Sequence, residues 1–525
     1  SIVATVDQWV SKAGKITPDT AQVDATIAIA KLPMALVDAF APGVVAGSSL
    51  REGLGELADL SATMKGGMSG GSADITFNSP NASAKAKVKI ANSVLTSDSP
   101  IEVKINGAGI AAFSPALKKS LKEQSATLDT YPDAAVLIDK LRFTMPSGGG
   151  AISLKGSGAL VTAKLTEVRG TVKLQKDGAA QPFKVAPLTA TIDAQDLGGT
   201  VKVAAATSAE LSGQPAGNLN ADISASGLLD SNGAFIKGTP GKVAGDISIK
   251  GMATAIAQPF VSALKLDLPK DVGPMLDATV KIASNAPANS AGATGSPPTT
   301  PPIDIDINVA GQFLKIQGGV RYAKDGIKSR GDGIKIEAMH AAEMAGRFID
   351  PKMNIVVQSA RTESKGLTAT IRSLDLPMNA AGQYDMKRMA AEVDVGLDGI
   401  SVFPVVNGKQ GAALDVQTMT LGLGVVAGGN VQGSINSAIW HEGAPFGAVG
   451  AFNIAGLLTN GKDGKPGVAM ETMRPSGNLE LRNVPVSIAR LAPSAPGPNG
   501  EPPLDLVKLL RGVVGPNFTV ALNAK

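Results

Sequence analysis

The sequence contains no cysteine in its 525 residues. The fold therefore has no disulfide bonds, and oxidising and reducing compartments are equally open to it. Only two histidines are present, His340 and His441, and neither stands in a metal or catalytic motif. We expect both to be ordinary core or surface residues. With no cysteine and no HExxH motif, neither a zinc site nor any other metal or cofactor is predicted.

Motifs of catalysis and nucleotide binding are also missing. The chain has no GxSxG, no Walker A loop and no GxGxxG after a strand. Its glycine-rich segments, MKGGMSGG (64–71) and PSGGGA (146–151), lack the lysine-bearing helix start that phosphate binding needs, and they predict turns. Asp304 and Asp306 alternate with isoleucine, which marks the wet face of a strand. We therefore predict that the chain is not an enzyme.

Aromatic residues make up only 3% of the chain, although hydrophobic residues make up 44%. The apolar surface consequently comes from Ala, Val, Ile and Leu. The net charge is +4, from 49 basic and 45 acidic residues, and this near balance gives no reason to expect a nucleic acid partner. No run of 18 or more apolar residues occurs, so no bilayer-spanning helix is predicted.

What the sequence has in abundance is alternation of apolar and polar residues. VDATIAIA (23–30), SAKAKVKI (83–90) and IEVKI (101–105) are clear cases. A period of two is typical of strands that bury one face of a sheet. Many further segments repeat it, separated by turns that use the 61 glycines and 33 prolines. The sequence therefore predicts an all-β fold, mainly antiparallel, with a few short helices.

A strand that runs into a short apolar helix occurs three times. The copies are VDATIAIAKLPMALVDAF (23–40), DISIKGMATAIAQPFVSAL (246–264) and NLELRNVPVSIARLAP (478–493). A second helix or turn and another strand follow each copy, and the last two copies share Val-Gly-Pro, at 272–274 and 514–516. Taking Ile29, Ile249 and Leu481 as equivalent gives spacings of 220 and 232 residues. These spacings predict internal repeats far longer than the roughly 20–50 residues of solenoid proteins.

The repeats set the predicted domain organisation. Residues 1–245 form a first β-groove repeat, with short helices near 33–60 and 115–122. Residues 246–477 form a second, which contains a disordered-like loop over 286–302. Residues 478–525 begin a third. Individual helices are predicted at 33–41, 50–60, 115–122, 253–264 and 504–511.

These helices are too few to cover the aliphatic face of so many strands. That face must close on itself, meet a second sheet, or remain as a groove for apolar ligands, and a large uncovered apolar surface is typical of a binding site. We predict a long, twisted and curled sheet that forms such a groove or taco-like trough. The residues predicted to line it are Val23, Ile27, Ile29, Val88, Ile90, Ile101, Val103, Ile105, Ile247, Ile249, Leu479 and Leu481.

The order of elements after residue 70 resembles a known family. SADITFNSPNASAKAKVKIANSVL (72–95), PIEVKI (100–105), SPALKKSL (114–121) and the return strand VLIDKLRF (136–143) follow one another as in the AsmA-like and TamB-like envelope proteins. The repeated strand–helix–strand unit is similar as well. The resemblance implies a repeating β-groove that is anchored in the inner membrane of a Gram-negative-type bacterium and reaches across the periplasm.

The function that this resemblance implies is lipid transfer in the cell envelope, in support of outer membrane biogenesis. Phospholipid or other acyl chains would be held in the groove or conducted between membranes. The membrane anchor would lie in a segment absent from this chain, and proteins of the inner and outer membranes would be partners. The residues leave one alternative open, a structural β-repeat rod, stalk or surface fibre with a filled core and no ligand. Lipid bound to the purified protein would distinguish the two hypotheses.

Overall fold

A computed structural model gives the fold of the chain. The predicted loop over 286–302 lies outside the described residues except for its last two positions. The predicted helix over 115–122 is described only at Pro115, Lys119 and Leu121, all helical. The structure describes residues 1–7, 12, 22–40, 49–67, 70–115, 119, 121, 126–145, 153–173, 179–230, 232–235, 241–261, 266–284, 301–347, 355–360, 366–379, 383–406, 409–460, 466–468, 473–491 and 506–524.

Antiparallel strands dominate the described residues, as the alternation predicts. The chain divides into unit 1, Ser1–Ala263 with Asp277–Pro301, and unit 2, Leu264–Leu276 with Pro302–Lys525. The strands are β1 (Ile2–Asp7), β2 (Gln22–Pro33), β3 (Leu57–Gly67), β4 (Gly70–Asn78), β5 (Ala82–Ala91), β6 (Val94–Ser97), β7 (Ile101–Ile105), β8 (Ala126–Thr130), β9 (Ala134–Thr144), β10 (Gly158–Leu165), β11 (Val168–Lys173), β12 (Ala180–Val185), β13 (Leu188–Ala194), β14 (Thr200–Leu211), β15 (Gln214–Ser226), β16 (Lys242–Ala253), β17 (Met275–Ser284), β18 (Ile303–Gly311), β19 (Leu314–Ala323), β20 (Gly326–Ala338), β21 (Ile355–Ser359), β22 (Gly366–Pro377), β23 (Ala390–Val406), β24 (Lys409–Gln410), β25 (Leu414–Val426), β26 (Asn430–His441), β27 (Ala444–Ala455), β28 (Leu458–Asn460), β29 (Pro466–Val468), β30 (Arg474–Pro485) and β31 (Asn517–Ala524).

The helices are short and stand between strands. None of those described exceeds nine residues, so they cover little of the sheets. They are α1 (Met34–Phe40), α2 (Leu50–Leu54), α3 (Gly107–Phe113), α4 (Thr254–Val261), α5 (Leu268–Asp271), α6 (Ala341–Gly346), a 3-10 helix (Val486–Leu491) and α7 (Leu506–Val514).

The sheet of unit 1 begins as a meander. Each strand from β1 to β5 pairs with the next. β6 and β7 then share one edge of β5 and both pair with β9. β9 pairs with β10, β10 with β13, and the sheet continues through β14, β15 and β16. All of these pairings are antiparallel.

This sheet forks at β14. Residues 202–206 of β14 pair with β13, whereas residues 209–211 pair with β12. β15 occupies the opposite edge of β14 along its whole length, so β12 and β13 share one edge. β12 pairs with β11, and β11 with β8. β8, β11 and β12 therefore form a three-stranded branch, called here the unit 1 branch.

The sheet of unit 2 has a similar plan. β18, β19, β20, β22, β23, β25, β26, β27, β30 and β31 pair in that order. It forks at β23, where residues 390–398 pair with β22 and residues 400–404 pair with β21. Helix α6 packs on β21. The branch of unit 2 is therefore a single described strand with a helix against it.

The strand–helix unit predicted at three places is present at each. Copy 1 is β2–α1–α2–β3, copy 2 is β16–α4–α5–β17, and copy 3 is β30–3-10 helix–α7–β31. In each copy the first strand contains a residue at positive φ, Lys31 (52°), Gly251 (57°) or Asn483 (56°), two positions after the equivalent points chosen from the sequence. The N–H of that residue donates a hydrogen bond to a side-chain oxygen on the next strand. The acceptor is Asp59 in copy 1, Asp277 in copy 2 and Thr519 in copy 3.

Two details differ from the sequence prediction. The helix predicted over 50–60 ends at Leu54, because Gly55 adopts a φ of 102° and its N–H donates to the carbonyl of Arg51. The next residues already form β3. The sequence pattern also misses α3 and α6, because a turn or two of Gly- and Ala-rich chain carries no helical period. The side chain of Asn106 caps α3 by accepting from the N–H of Gly109 at 3.0 Å.

Candidate apolar binding site

The strand register of unit 1 places its aliphatic residues in one continuous row. Residues directly opposite each other in an antiparallel pair point to the same face of the sheet. The predicted residues Ile29, Val103 and Ile247 belong to this row, although they come from distant parts of the sequence. From β2 to β16 the row consists of Ile29, Leu60, Phe77, Ala84, Val103, Val136, Ala163, Ala190, Ala205, Ala221 and Ile247.

The other predicted residues of unit 1 lie on the same face. Each stands an even number of positions from the row on its own strand, and all ten are half-buried. Three more apolar residues of this face, Met64, Ile75 and Ile192, remain 43%, 40% and 40% exposed. The face is thus incompletely covered. The seven predicted residues beside the row are Val23, Ile27, Val88, Ile90, Ile101, Ile105 and Ile249.

The opposite face is charged on β5. Lys85, Lys87 and Lys89 alternate with the aliphatic residues of β5 and are exposed. The Nζ of Lys89 lies 2.5 Å from a carboxylate oxygen of Asp98. This hydrogen bond, which favours the carboxylate form, lowers the pKa of Asp98. One side of the sheet is therefore wet, and apolar ligands are restricted to the other.

A cavity of about 470 Å³ lies on the aliphatic face where the sheet of unit 1 forks. The unit 1 branch forms one wall, β14 to β16 form the other, and α3 and α4 contribute at the ends. Its volume is within the roughly 300–1,000 Å³ of typical ligand pockets. The lining residues are Ile110, Leu121, Ala126, Leu128, Pro132, Leu165, Thr166, Val168, Val172, Phe183, Val185, Ala186, Leu188, Thr207, Ser208, Ala209, Leu219, Ile249, Met252, Ala255, Ile256 and Ala257.

The chemistry of this cavity is almost wholly apolar. No charged or titratable side chain lines it, and Thr166, Thr207 and Ser208 are its hydroxyl-bearing residues. The hydroxyl of Thr207 donates to the carbonyl of Ala186 at 2.8 Å, and the Oγ1 of Thr166 accepts from the N–H of Asp133 at 2.9 Å. These two groups are satisfied within the protein, so they make no demand on a ligand. The lining therefore offers apolar surface rather than free polar groups to anything that enters the cavity.

Small residues keep the cavity open. Ala209 and Ala255 are buried in the walls but have only a methyl group with which to fill space. On the branch, Phe183 and Val172 are 9% and 3% exposed and pack into the same hydrophobic cluster. A tightly packed core would place larger side chains opposite such residues. The volume therefore persists because alanine faces the branch.

Of the predicted lining residues, Ile249 lines this cavity. Ile29 borders a shallower depression of about 250 Å³, but most of the residues around it, such as Asp59 and Thr76, stand on the opposite, polar face of the sheet. The wall supplied by β8, β11 and β12 is not predicted from the sequence. Their alternation looks like that of any other strand, and nothing local marks them as a branch. The small residues GMATAIA (251–257) are the one signal that could have pointed to unfilled space.

Unit 2 has aliphatic rows of its own, and the two remaining predicted residues stand in them. Leu481 pairs with Ala448 and Val520. Leu479, two positions earlier, is in the neighbouring row, and both leucines are half-buried. The row of Leu479 consists of Val309, Ile316, Ile336, Ala369, Val395, Leu421, Ile435, Gly450, Leu479 and Leu522.

The polar residues singled out in the sequence, Asp304, His340 and His441, each contact another group of the protein away from the cavity at the fork. Asp304 is not on a wet face as predicted: it is 3% exposed and accepts from Arg321 at 2.7 and 3.0 Å, and this carboxylate raises the pKa of Arg321. His441 is fully buried, with its Nδ1 3.0 Å from the carbonyl oxygen of Ala413. His340 stacks on Phe313 with ring centres 4.1 Å apart. None of these residues lines the cavity at the fork.

Neither a membrane-spanning helix nor a metal-binding cluster occurs among the described residues. No helix among them is long and apolar enough to cross a bilayer. No three side chains of His, Cys, Asp or Glu come together there as a metal site requires. Comparison with known proteins found no match either, whether to a protein family, to a curated protein or to a solved structure.

Proposed function

We propose that unit 1 binds the hydrocarbon chain of a lipid in the cavity at its fork. The observation that carries this proposal is the lining of the cavity, which is apolar and uncharged. The hydroxyl groups of Thr166 and Thr207 in this lining already form hydrogen bonds within the protein. Burying apolar surface contributes roughly 25 cal/mol per Å². A hydrocarbon chain gains this term in full, whereas a polar ligand would lose hydrogen bonds to water without replacement.

The aliphatic row gives the rest of a long chain a place to lie. Ile249 and Leu219 line the cavity and stand directly beside the row residues Ile247 and Ala221 on the same face. Half-buried aliphatic residues continue from there across the sheet to β2. A chain longer than the cavity would follow them and leave a polar head group towards solvent.

We further propose the cellular setting that the sequence resemblance implies. In this setting the protein holds or transfers phospholipid acyl chains in the envelope of a Gram-negative-type bacterium, in the periplasm, with membrane proteins as partners and without enzymatic activity. This part of the proposal rests on the resemblance to AsmA-like and TamB-like proteins and on the absence of catalytic motifs. The cavity supports only the binding of hydrocarbon.

The test is a binding measurement on the full chain purified without detergent. Organic extraction followed by lipid mass spectrometry identifies lipid that copurifies. The delipidated protein is then titrated with a fluorescent fatty acid. We expect saturable binding, with an affinity at least tenfold lower in Ala257→Phe. Ala257 lines the cavity and is half-buried on α4, so a benzyl group there would occupy the ligand volume.

The matched control is Ala204→Phe. Ala204 lies on β14, close to the fork, but on the exposed face opposite the aliphatic row. This variant should bind the fatty acid like the original protein. A lipid-free extract together with no saturable binding would refute the proposal and favour the structural rod. Unchanged binding in a folded Ala257→Phe protein would place the lipid elsewhere.

A further inference from the structure

The forks of the two units are built from equivalent strands. In unit 2, β23 pairs with β22 over residues 390–398 and with β21 over residues 400–404. In unit 1, β10 and β11 take these two places, with β9 and β8 as their partners. β25 then pairs with β26 along its whole length, just as β13 and β12 together pair with β14. Each residue at one fork therefore has a counterpart at the other.

The strands of unit 1 are interrupted beside the cavity, whereas those of unit 2 are continuous. Thr166-Glu167 separates β10 from β11, and Ala186-Pro187 separates β12 from β13. Thr166 and Ala186 both line the cavity. At the same level of unit 2, β23 is a single strand that pairs with β25 on both sides of Gly399. The gap between strands in unit 1 is therefore bridged in unit 2.

One row of facing residues crosses both forks. Residues directly opposite each other in adjacent strands share one face of the sheet. In unit 1 the row is Val168, Val185 and Ala209, and in unit 2 it is Ile400, Val416 and Ile439. The first two positions are β-branched and aliphatic in both units. The third is alanine in unit 1 and isoleucine in unit 2.

The next strand repeats this difference in size. Ala216 is the third residue of β15, and Phe446 is the third residue of β27. Ala216 is 3% exposed and belongs to the same hydrophobic cluster as Ala209. Phe446 stands directly opposite Ile439. Unit 2 thus places a sec-butyl group and a benzyl group where unit 1 has two methyl groups.

The cavity of unit 1 lies directly on this row, because Val168, Val185 and Ala209 all line it. In unit 2 both ends of the row are buried, since Ile400 is 7% exposed and Phe446 is 8% exposed. Buried side chains pack as densely as molecules in an organic crystal. The larger residues of unit 2 therefore occupy the place that the cavity has in unit 1.

We propose that the fork of unit 2 is a closed copy of the lipid site, and that the alanines at 209 and 216 restrict the hydrocarbon chain to unit 1. This inference rests on the proposed function of unit 1. Ile439 and Phe446 fill the unit 2 fork with side chains of the protein itself, so a ligand there would have to displace them. The protein therefore binds one hydrocarbon chain at its two forks rather than two.

The first test is photolabelling of the full chain, purified without detergent and delipidated. A fatty acid with a diazirine at the end of its hydrocarbon chain is titrated into the protein. After irradiation, mass spectrometry of tryptic peptides locates the label. We expect saturation at one equivalent, with labelled peptides from β12, β14 and α4, which line the cavity. Peptides from β25, β26 and β27 should remain unlabelled.

The second test transfers the unit 2 residue into unit 1. Ala209→Ile should lower the affinity for the fatty acid at least tenfold, because the added carbon atoms extend into the cavity that Ala209 lines. The same volume leaves room for the larger side chain, so the variant should fold. The matched control is Ala206→Ile, on the exposed face of the same strand, which should bind like the original protein.

The converse exchange opens the fork of unit 2. Ile439→Ala combined with Phe446→Ala should raise the saturation to two equivalents and add labelled peptides from β26 and β27. Circular dichroism establishes that the variant is folded. Phe446→Ala alone removes the larger of the two groups, and it gives the same readout if the double variant does not fold.

Three results would overturn this inference without touching the proposed function. They are labelling of β25, β26 or β27 in the original protein, unchanged binding by a folded Ala209→Ile variant, and saturation at one equivalent in a folded variant of the unit 2 fork. Absence of saturable binding by the original protein would refute the proposed function itself, and this inference with it.

Discussion

The two units differ in what they place at the fork of their sheets. In unit 1 the branch has three strands, and an apolar cavity of about 470 Å³ remains beside it. In unit 2 the described branch is β21 with α6 packed on it. Arg347, directly after α6, forms an ion pair with Asp271 at the end of α5, and Asp271 is only 1% exposed.

The difference shows that the aliphatic face of a sheet does not by itself determine which elements pack against it. Both units build rows of Val, Ile, Leu and Ala by the same alternation, and both sheets fork. In unit 1, alanines such as Ala209 and Ala255 face the branch and leave volume for a ligand. In unit 2, helix α6 is held in place by the ion pair between Arg347 and the buried carboxylate of Asp271. We therefore expect unit 1 to respond to changes of volume and unit 2 to changes of charge.

The largest effect should come from removing the buried carboxylate of unit 2. Asp271→Ala leaves the guanidinium of Arg347 partly buried without its partner, which costs about 3 kcal/mol of unfolding free energy. Urea unfolding monitored by tryptophan fluorescence, to which both Trp9 and Trp440 contribute, measures the loss. Asp375→Ala is the control, because Asp375 and Lys328 form an exposed pair worth less than about 1 kcal/mol. Equal effects of the two changes would contradict the expected role of the buried pair.

The next largest effect should come from removing the ring that fills the unit 1 branch. Phe183→Ala deletes a side chain that is 9% exposed and should lower the free energy of unfolding by about 3 kcal/mol. It also enlarges the cavity, so a bulkier fluorescent fatty acid should bind more tightly. Phe235→Ala, at a 57% exposed ring, should change stability by less than about 0.5 kcal/mol. Tighter binding without loss of stability would mean that Phe183 is not part of the core.

Placing a charge on the aliphatic face should distinguish the contribution of the cavity to ligand binding from that of the aliphatic row. Ile249→Asp and Ile27→Asp each place a carboxylate at a half-buried position and should each cost roughly 1–3 kcal/mol of stability. Only Ile249 lines the cavity, so only Ile249→Asp should abolish fatty-acid binding. Loss of binding in both variants would show that the row, rather than the cavity, holds the ligand.

The smallest effect concerns the two Val-Gly-Pro segments. Gly273→Ala and Gly515→Ala both put a Cβ at positive φ, which costs about 1 kcal/mol. At Gly273 the new methyl also meets Gln312, and such overpacking adds about 1 kcal/mol or more. Thermal unfolding should therefore show a larger loss for Gly273→Ala. Equal losses would indicate that the β18–β19 turn moves away from α5 easily.

Much of the fold follows from local patterns that the sequence displays. The alternation around Val88 and Val103 predicts strands and assigns the inner side of each. The spacing of Ile29, Ile249 and Leu481 predicts three strand–helix units, and the structure places a positive-φ residue two positions after each of them. The helix predicted over 50–60 ends at Leu54, because Gly55 adopts a φ of 102° that the residue type permits but the sequence pattern does not specify.

The sequence by itself determined the strands, the aliphatic and charged faces and the recurrence of the strand–helix unit, because side-chain alternation and turn residues act over a few positions. Only the tertiary structure decided the forks and the cavity. These depend on which strands share an edge, as β12 and β13 share β14. Pairing between distant strands is set by the packing of the whole sheet, which the alternation of neighbouring residues does not specify.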